Sequence, residues 1–313
     1  MDIEQILTIV APPLGAGVEG ASLYLALLAI GLVVGALTGF FGVGGGFLVV
    51  PLLNVVLGIG YELAVGSSLS FIIGTSFAGV LKQREAGNVD FRIAGVLASG
   101  SVFGALAGDS LQNLLLFGLA GGSEAIFTPL MHSIFIALLI ATIFGMRSRE
   151  EQETAKGVQR LPLLVKYGPA PRFSTPETAE SFGGPGYSVP LTFLAGMVVG
   201  IATGLLGIGG GVLLVPVLLG LFGLAHQRAA GTSLAVIFVT AVVGIAKKGM
   251  AEIPKVSLPL TVVLLLSSVI GVQLGVFALK KTGSRDFRRY FVYVLVLTIV
   301  MIGADLGANF ISF

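Results

Sequence analysis

Cysteine is absent from this chain and histidine occurs only twice. The first absence excludes disulfides, thiolate metal sites and any cysteine relay of sulfur. The second leaves two imidazoles far apart in sequence, so neither a metal centre nor a cofactor is expected. Charge is scarce as well: Asp, Glu, Lys and Arg make up 11% of 313 residues, against 55% hydrophobic residues and a mean hydropathy of +1.00. That balance belongs to an integral membrane protein, with lipid as a partner. The net charge of +2 says little about partners, and nothing in the sequence points to nucleic-acid binding. Asp2 and Glu4 stand near the start with no early Lys or Arg, so a cleaved signal peptide is not expected. The apolar runs hold no HExxH, no GxSxG and no close acid–base pair, which argues against an enzyme.

What the chain has instead is glycine, and a copy of itself. Gly31 to Leu53 reads GLVVGALTGFFGVGGGFLVVPLL, and 165 positions later Gly196 to Leu218 reads GMVVGIATGLLGIGGGVLLVPVL, with 14 of 23 positions identical and no gap. The register runs on through Gly66-Ser67-Ser68-Leu69 and Gly231-Thr232-Ser233-Leu234 to Lys82 and Lys247. After a slip of two residues, Ser101 to Gly104 and Gly108 match Ser268 to Gly271 and Gly275. The chain is a duplicated unit, and a site is expected where the copies meet.

The doubled GxxxGxxTGxxGxGGGxxxxPxL pattern, the G-[ST]-S-L segment after each copy, and Gly87-Asn88-Val89-Asp90-Phe91 after the first resemble the TauE/SafE sulfite exporters. The resemblance covers nearly all of the hydrophobic chain. It implies a membrane carrier exporting sulfite, an organosulfonate or a similar small anion. One departure stands in the second half, where Lys248-Gly249-Met250-Ala251-Glu252-Ile253-Pro254 replaces the GNVD turn.

Hydropathy divides the chain into a tail (1–20), a first membrane repeat (21–145), a polar linker (146–187) and a second repeat (188–313). The first repeat holds apolar segments at Ala21 to Phe40, Phe47 to Ile59, Leu63 to Leu81, Ile93 to Leu106 and Ile126 to Phe144, with an irregular connection from Asp109 to Glu124. The second holds them at Val189 to Leu206, Val212 to Leu224, Ala229 to Ala246, Val256 to Leu279 and Tyr290 to Asn309. The segment after each Gly-Gly-Gly block is too short for a comfortable crossing and reads as a broken helix. The linker carries six basic and five acidic residues and reads as partly helical near Arg149 to Val165. The expected fold is therefore an all-α membrane protein of two inverted repeats, each of about five crossing or broken helices, whose glycine-rich interruptions meet near the midplane. With all ten segments crossing and both termini outside, 15 of the 18 basic residues fall on the inner side of a prokaryotic plasma membrane. Parallel repeats of four crossings divide them 12 to 6 at best.

Three glycines after a helix let the backbone turn and aim bare amides inward, and the following segment adds the positive end of its dipole. Gly42, Gly44, Gly45 and Gly46 would form one half of such an anion cradle, and Gly207, Gly209, Gly210 and Gly211 the other. Neither copy continues into the Lys-Ser/Thr of a phosphate loop. Matched hydroxyls at Thr38 and Thr203, Ser67 and Thr232, and Ser68 and Ser233 are candidate donors, and Gln273 is an uncharged one within a span. The bland alternative is that the glycines permit close helix crossing and the hydroxyls bond their own backbones. Lys82 and Lys247 are candidates for attracting the anion, with interface anchoring as the plain reading. His132 is a candidate proton carrier, with an interhelical hydrogen bond as the plain reading. Asp109, Glu124 and Asp305 have weaker claims because they border loops or an end. An ion channel and a non-transporting scaffold are the competing classes, and a homodimer is left open.

Overall fold

The computed structural model describes residues 21–119, 124–156, 172–173, 187–207, 209–249 and 258–311. The expected tail, most of the linker and the segment Met250 to Pro254 lie outside them.

Described residues form ten helices. Those of the first repeat are α1 (Ala21–Phe41), α2 (Gly46–Pro51), α3 (Tyr61–Glu85), α4 (Phe91–Leu114) and α5 (Glu124–Lys156). Those of the second are α6 (Val189–Leu206), α7 (Gly211–Gly220), α8 (His226–Gly249), α9 (Leu258–Lys281) and α10 (Ser284–Ile311). A two-residue antiparallel pairing joins Arg172–Phe173 to Tyr187–Ser188. Seven of the helices are long and apolar enough to cross a membrane, while α2, α7 and the stretch Leu25–Phe41 of α1 are shorter apolar helices. Pro51 ends the regular part of α2, which continues as a π-helical turn over Leu52–Val56, and Pro216 lies inside α7. Large apolar side chains stay exposed around the perimeter, among them Phe103, Phe117, Phe144, Val198, Leu266 and Leu297. Such a belt is a cost in water and a fit in hydrocarbon, so the protein is a multi-pass membrane protein.

Two boundaries differ from the sequence reading. The helix expected to stop at Leu106 runs on to Leu114 and then through a π-helical turn, Leu115–Leu119. Gly108 keeps it pressed on Ile201 of α6, so Asp109 sits on a helix and not in an irregular connection. Likewise α5 passes Met146 without a break and reaches Lys156.

Glycine sets how the helices meet. Along α1, Gly31, Gly35 and Gly39 abut Leu264, Ser268 and Val272 of α9, so closely that a Cβ would strike backbone. Along α6, Gly196, Gly200 and Gly204 abut Leu97, Ser101 and Ala105 of α4 in the same way. The first helix of each repeat thus packs in parallel on the fourth helix of the other, through small-xxx-small stripes from both sides. Between these pairs lie α3 and α8. Gly79 faces Leu234 and Gly244 faces Leu69, an antiparallel crossing. Gly74 meets Leu265, and Thr261 approaches Ser67, so α3 runs with α9. Ser101 meets Thr240, and Asp109 meets Lys247, so α4 runs with α8. Hence α1, α3 and α9 share one direction and α4, α6 and α8 the opposite one. Each of α1, α3 and α4 is antiparallel to its own counterpart, as under a pseudo-two-fold axis. Outside this core, α5 and α10 pack against each other, and Phe287 and Phe291 of α10 cluster on Phe40 and Phe41.

Candidate functional site

The Gly-Gly-Gly blocks meet at the pseudo-two-fold axis. Ideal Cβ atoms on Gly44 and on Gly209 would both strike the same two side chains, Ile72 of α3 and Ile237 of α8. Those isoleucines stand 165 positions apart and halfway along their helices, which puts both loops at mid-depth. Gly211 lies directly against the Val43 backbone. All the described residues of both loops are buried. Each loop takes three left-handed glycine steps: φ is +74°, +74° and +80° at Gly42, Gly44 and Gly45, and +66°, +71° and +69° at Gly207, Gly209 and Gly210. A side chain at Gly45 or Gly210 would be strained by its own backbone and would also collide with Thr38 or Thr203.

From these turns α2 and α7 start at the centre and run outward. Leu48 and Leu213 already donate to the carbonyls of Gly45 and Gly210, so each start offers the interior its first two amides, those of Gly46 and Phe47 and of Gly211 and Val212, with the positive dipole end. The hydroxyls divide into two roles. Ser233 donates to the Gly42 carbonyl at 2.6 Å, with Ala230 of its own helix at 2.9 Å. The Ser68 hydroxyl lies between the Val65 carbonyl of its own helix at 2.9 Å and the Gly207 carbonyl at 3.1 Å, so each repeat reaches the other repeat's loop with a proton shared with its own helix. Thr203 donates to Val199 of its own helix, whereas its counterpart Thr38, fully buried beside Gly45, has no partner for its hydroxyl. Thr75, in register with Thr240, has the Gly44 carbonyl 3.2 Å from its hydroxyl, beside the carbonyl of Phe71 in its own helix at 3.0 Å. Sequence reasoning passed over that matched pair, although the same offset of 165 marks it.

Other expected residues lie apart from the loops. Ser67 is buried where Thr261 approaches its carbonyl at 3.5 Å, towards α9. Thr232 accepts from the Asp90 amide at 3.0 Å. Asp90 in turn caps α4 by accepting from the amides of Arg92 and Ile93, so the GNVD turn docks one repeat on the other. Gln273 does not face a cavity: it is exposed on the outer side of α9 between Ile270, Leu274 and Phe277, all outward-facing. The pairing face of α9 belongs to Gly271 and Gly275, which turns position 273 away. His132 is buried on α5 with its ring edge-on to Tyr61, 5.8 Å between centroids.

Lys82 and Lys247 end matched helices but keep different company. Lys82 pairs with Glu85 one turn on, at 2.8 Å and in the open. Lys247 reaches across to α4, pairs with Asp109 at 2.9 Å and donates to the Leu106 carbonyl and to Ser110. Beneath that pair runs a crevice of about 10 Å³ lined by Leu69, Thr203, Gly204, Thr240 and Gly244. A wider apolar cleft of about 400 Å³, with Arg288 in its wall, lies between α5, α7 and α10. Among the described residues no three His, Asp or Glu side chains converge as a metal site would require.

Comparison with known proteins agrees with this picture. Residues 27–302 match the family model "Sulfite exporter TauE/SafE". The "Probable membrane transporter protein MJ0441" of Methanocaldococcus jannaschii is 24% identical over 278 residues, covering 84% of this chain and 88% of that protein. The "Probable membrane transporter protein YjnA" of Bacillus subtilis is 29% identical over 256 residues, covering 80% and 88%, and "YunE" of the same organism is 25% identical over 232 residues, covering 71% and 76%. No solved structure matches the chain significantly. With the doubled glycine motif, the apolar helices and a match across nearly all of its hydrophobic length, the chain belongs to the TauE/SafE family of membrane transporters.

Proposed function

We propose that the protein is a secondary carrier that exports a small sulfur oxyanion, sulfite or an organosulfonate, by alternating access across a prokaryotic plasma membrane. One observation carries the reading: two half-helices start from buried glycine turns that meet at mid-depth on the pseudo-two-fold axis. Amides and dipole ends can hold an anion there without a lone buried Lys or Arg, whose charge would be costly in hydrocarbon. The anion would take the amides following Gly45 and Gly210, with the Thr38 hydroxyl as an added donor. Ser68 and Ser233 act one step back, holding the loop carbonyls away. The family supplies the substrate class and the export direction.

The antiparallel run of counterpart helices supports repeats inverted across the membrane. Since α1 and α3 run the same way, the glycine loop together with α2 must return the chain across, which makes five crossings per repeat. Helix direction also gathers Lys82, Arg84, Arg92, Arg228, Lys280, Lys281, Arg285, Arg288 and Arg289 at one end of the molecule. That end is the cytoplasmic one by the positive-inside rule, which leaves both termini outside.

Tracer exchange in proteoliposomes tests the proposal, using labelled sulfite with and without an imposed pH gradient. Accumulation that follows the gradient is expected of a coupled carrier. Absence of sulfite and organosulfonate flux from folded, oriented protein would refute the substrate class. A steady anion current in a planar bilayer would favour a channel instead, a reading at odds with the backbone contact between the loops at Gly211 and Val43.

A further inference from the structure

We propose that the ion pair Asp109–Lys247 is the gate of the anion path on the face opposite the basic one, with Lys247 as the receiving cation and Asp109 as the built-in anion that substrate displaces. The inference rests on the carrier reading and assigns the gating of its site.

Three observations carry it. First, the pair closes a crevice that leads to the cradle. Thr203 and Thr240 line its walls, and Thr203 touches the position of a Cβ on Gly210. About 10 Å³ is the threshold for one water, so the path is marked but shut. Second, the pair bridges two helices, from the end of α8 to α4, and is partly sheltered: the Lys247 side chain is 35% exposed and that of Asp109 is 13%. A cation placed there needs a counter-charge while no substrate is bound. Third, among the described residues such a gate stands in one half alone. In register, Asp109 corresponds to Val276, and Lys82 turns to Glu85 on its own helix. The corresponding seam is closed by apolar contact instead: Leu234 comes within 2.7 Å of a Cβ on Gly79, where Leu69 stays 3.6 Å from one on Gly244.

The asymmetry has an electrostatic reason. The basic face attracts anions by its many cations and can use an apolar seal. The opposite face has few, so Lys247, which lines the crevice, must bind the anion locally, and an anion arriving from either direction competes with Asp109 for the same ammonium group.

The natural lack of cysteine makes the test direct. Thr240→Cys reports access to the crevice through its rate of labelling by a membrane-impermeant maleimide added on the Lys247 face. Adding Asp109→Asn should speed that labelling about fivefold, the scale of one screened charge contact. In flux measurements Asp109→Asn should lower, and Lys247→Gln raise, the half-saturating sulfite concentration by a similar factor. Where Asp109→Asn does not fold, the double variant Asp109→Asn with Lys247→Gln leaves no lone charge and gives the same labelling readout. Unchanged labelling overturns the gate even with normal sulfite flux, and so do equal losses of stability in both single variants with no opposed shift in half-saturation. Faster labelling in protein that carries no sulfite supports the gate and counts against the substrate class alone.

Discussion

Gly45 and Gly210 concentrate the demands of the site in single atoms. A Cβ at Gly45 meets a backbone at φ +80°, the Thr38 hydroxyl at 2.7 Å and Val34 at 2.6 Å. Left-handed strain and overpacking together destabilise Gly45→Ala by roughly 2–3 kcal/mol, and transport is expected to be lost in protein that still purifies as a monodisperse species. Thermal unfolding in detergent beside flux measurement checks both halves of that statement. Thr38 offers the complementary test. Its buried hydroxyl has no partner, so Thr38→Val removes an unpaired polar group and is expected to raise stability by about 1 kcal/mol. If the hydroxyl serves the anion, flux falls nonetheless. Higher stability with undiminished flux would remove Thr38 from the site. The motif located Thr38 and both glycine blocks. It could not show that Ser68 and Ser233 reach the opposite loop, because those contacts join residues 139 and 191 positions apart.

At the scale of the element, helices are specified less by greasiness than by the stripe each one presents. Seven apolar helices would find no preferred partner among themselves in lipid, since tails are as apolar as leucine. Gly35 against Ser268 and Gly104 against Met197 give α1 and α4 one partner each, by backbone approach. Gly104→Leu is therefore expected to force α4 from α6 and cost more than 3 kcal/mol, roughly the upper range of overpacking, whereas Gly95→Leu on the open side of α4 is expected to be silent. Unfolding midpoints of the two variants decide it, and equal midpoints would contradict the stripe. The same stripe explains why Gln273 was misread. Within one span the periodicity shows that a polar residue sits off the glycine face, but not whether that direction holds protein or lipid.

For the whole molecule, the exchange of partners between repeats makes the halves mutually dependent: α1 has its seam on α9, and α6 has its seam on α4. The inverted arrangement predicts that Glu85→Cys, at the end of α3, and Ala246→Cys, at the end of α8, label from opposite faces of the membrane with an impermeant maleimide. Labelling from the same face would exclude it. Much of this was legible in the linear chain. The 165-residue repeat, the apolar segments and the glycine blocks determined by themselves that the protein is a duplicated, helical membrane protein, because repetition and hydropathy are read from the chain without contacts. Only the tertiary structure decided which stripe meets which, that Ile72 and Ile237 bring both loops to one point, and that Asp109 answers Lys247 while Val276 leaves Lys82 to Glu85. Those outcomes depend on contacts between residues more than a hundred positions apart, whose directions are fixed by close backbone packing and written in neither partner alone.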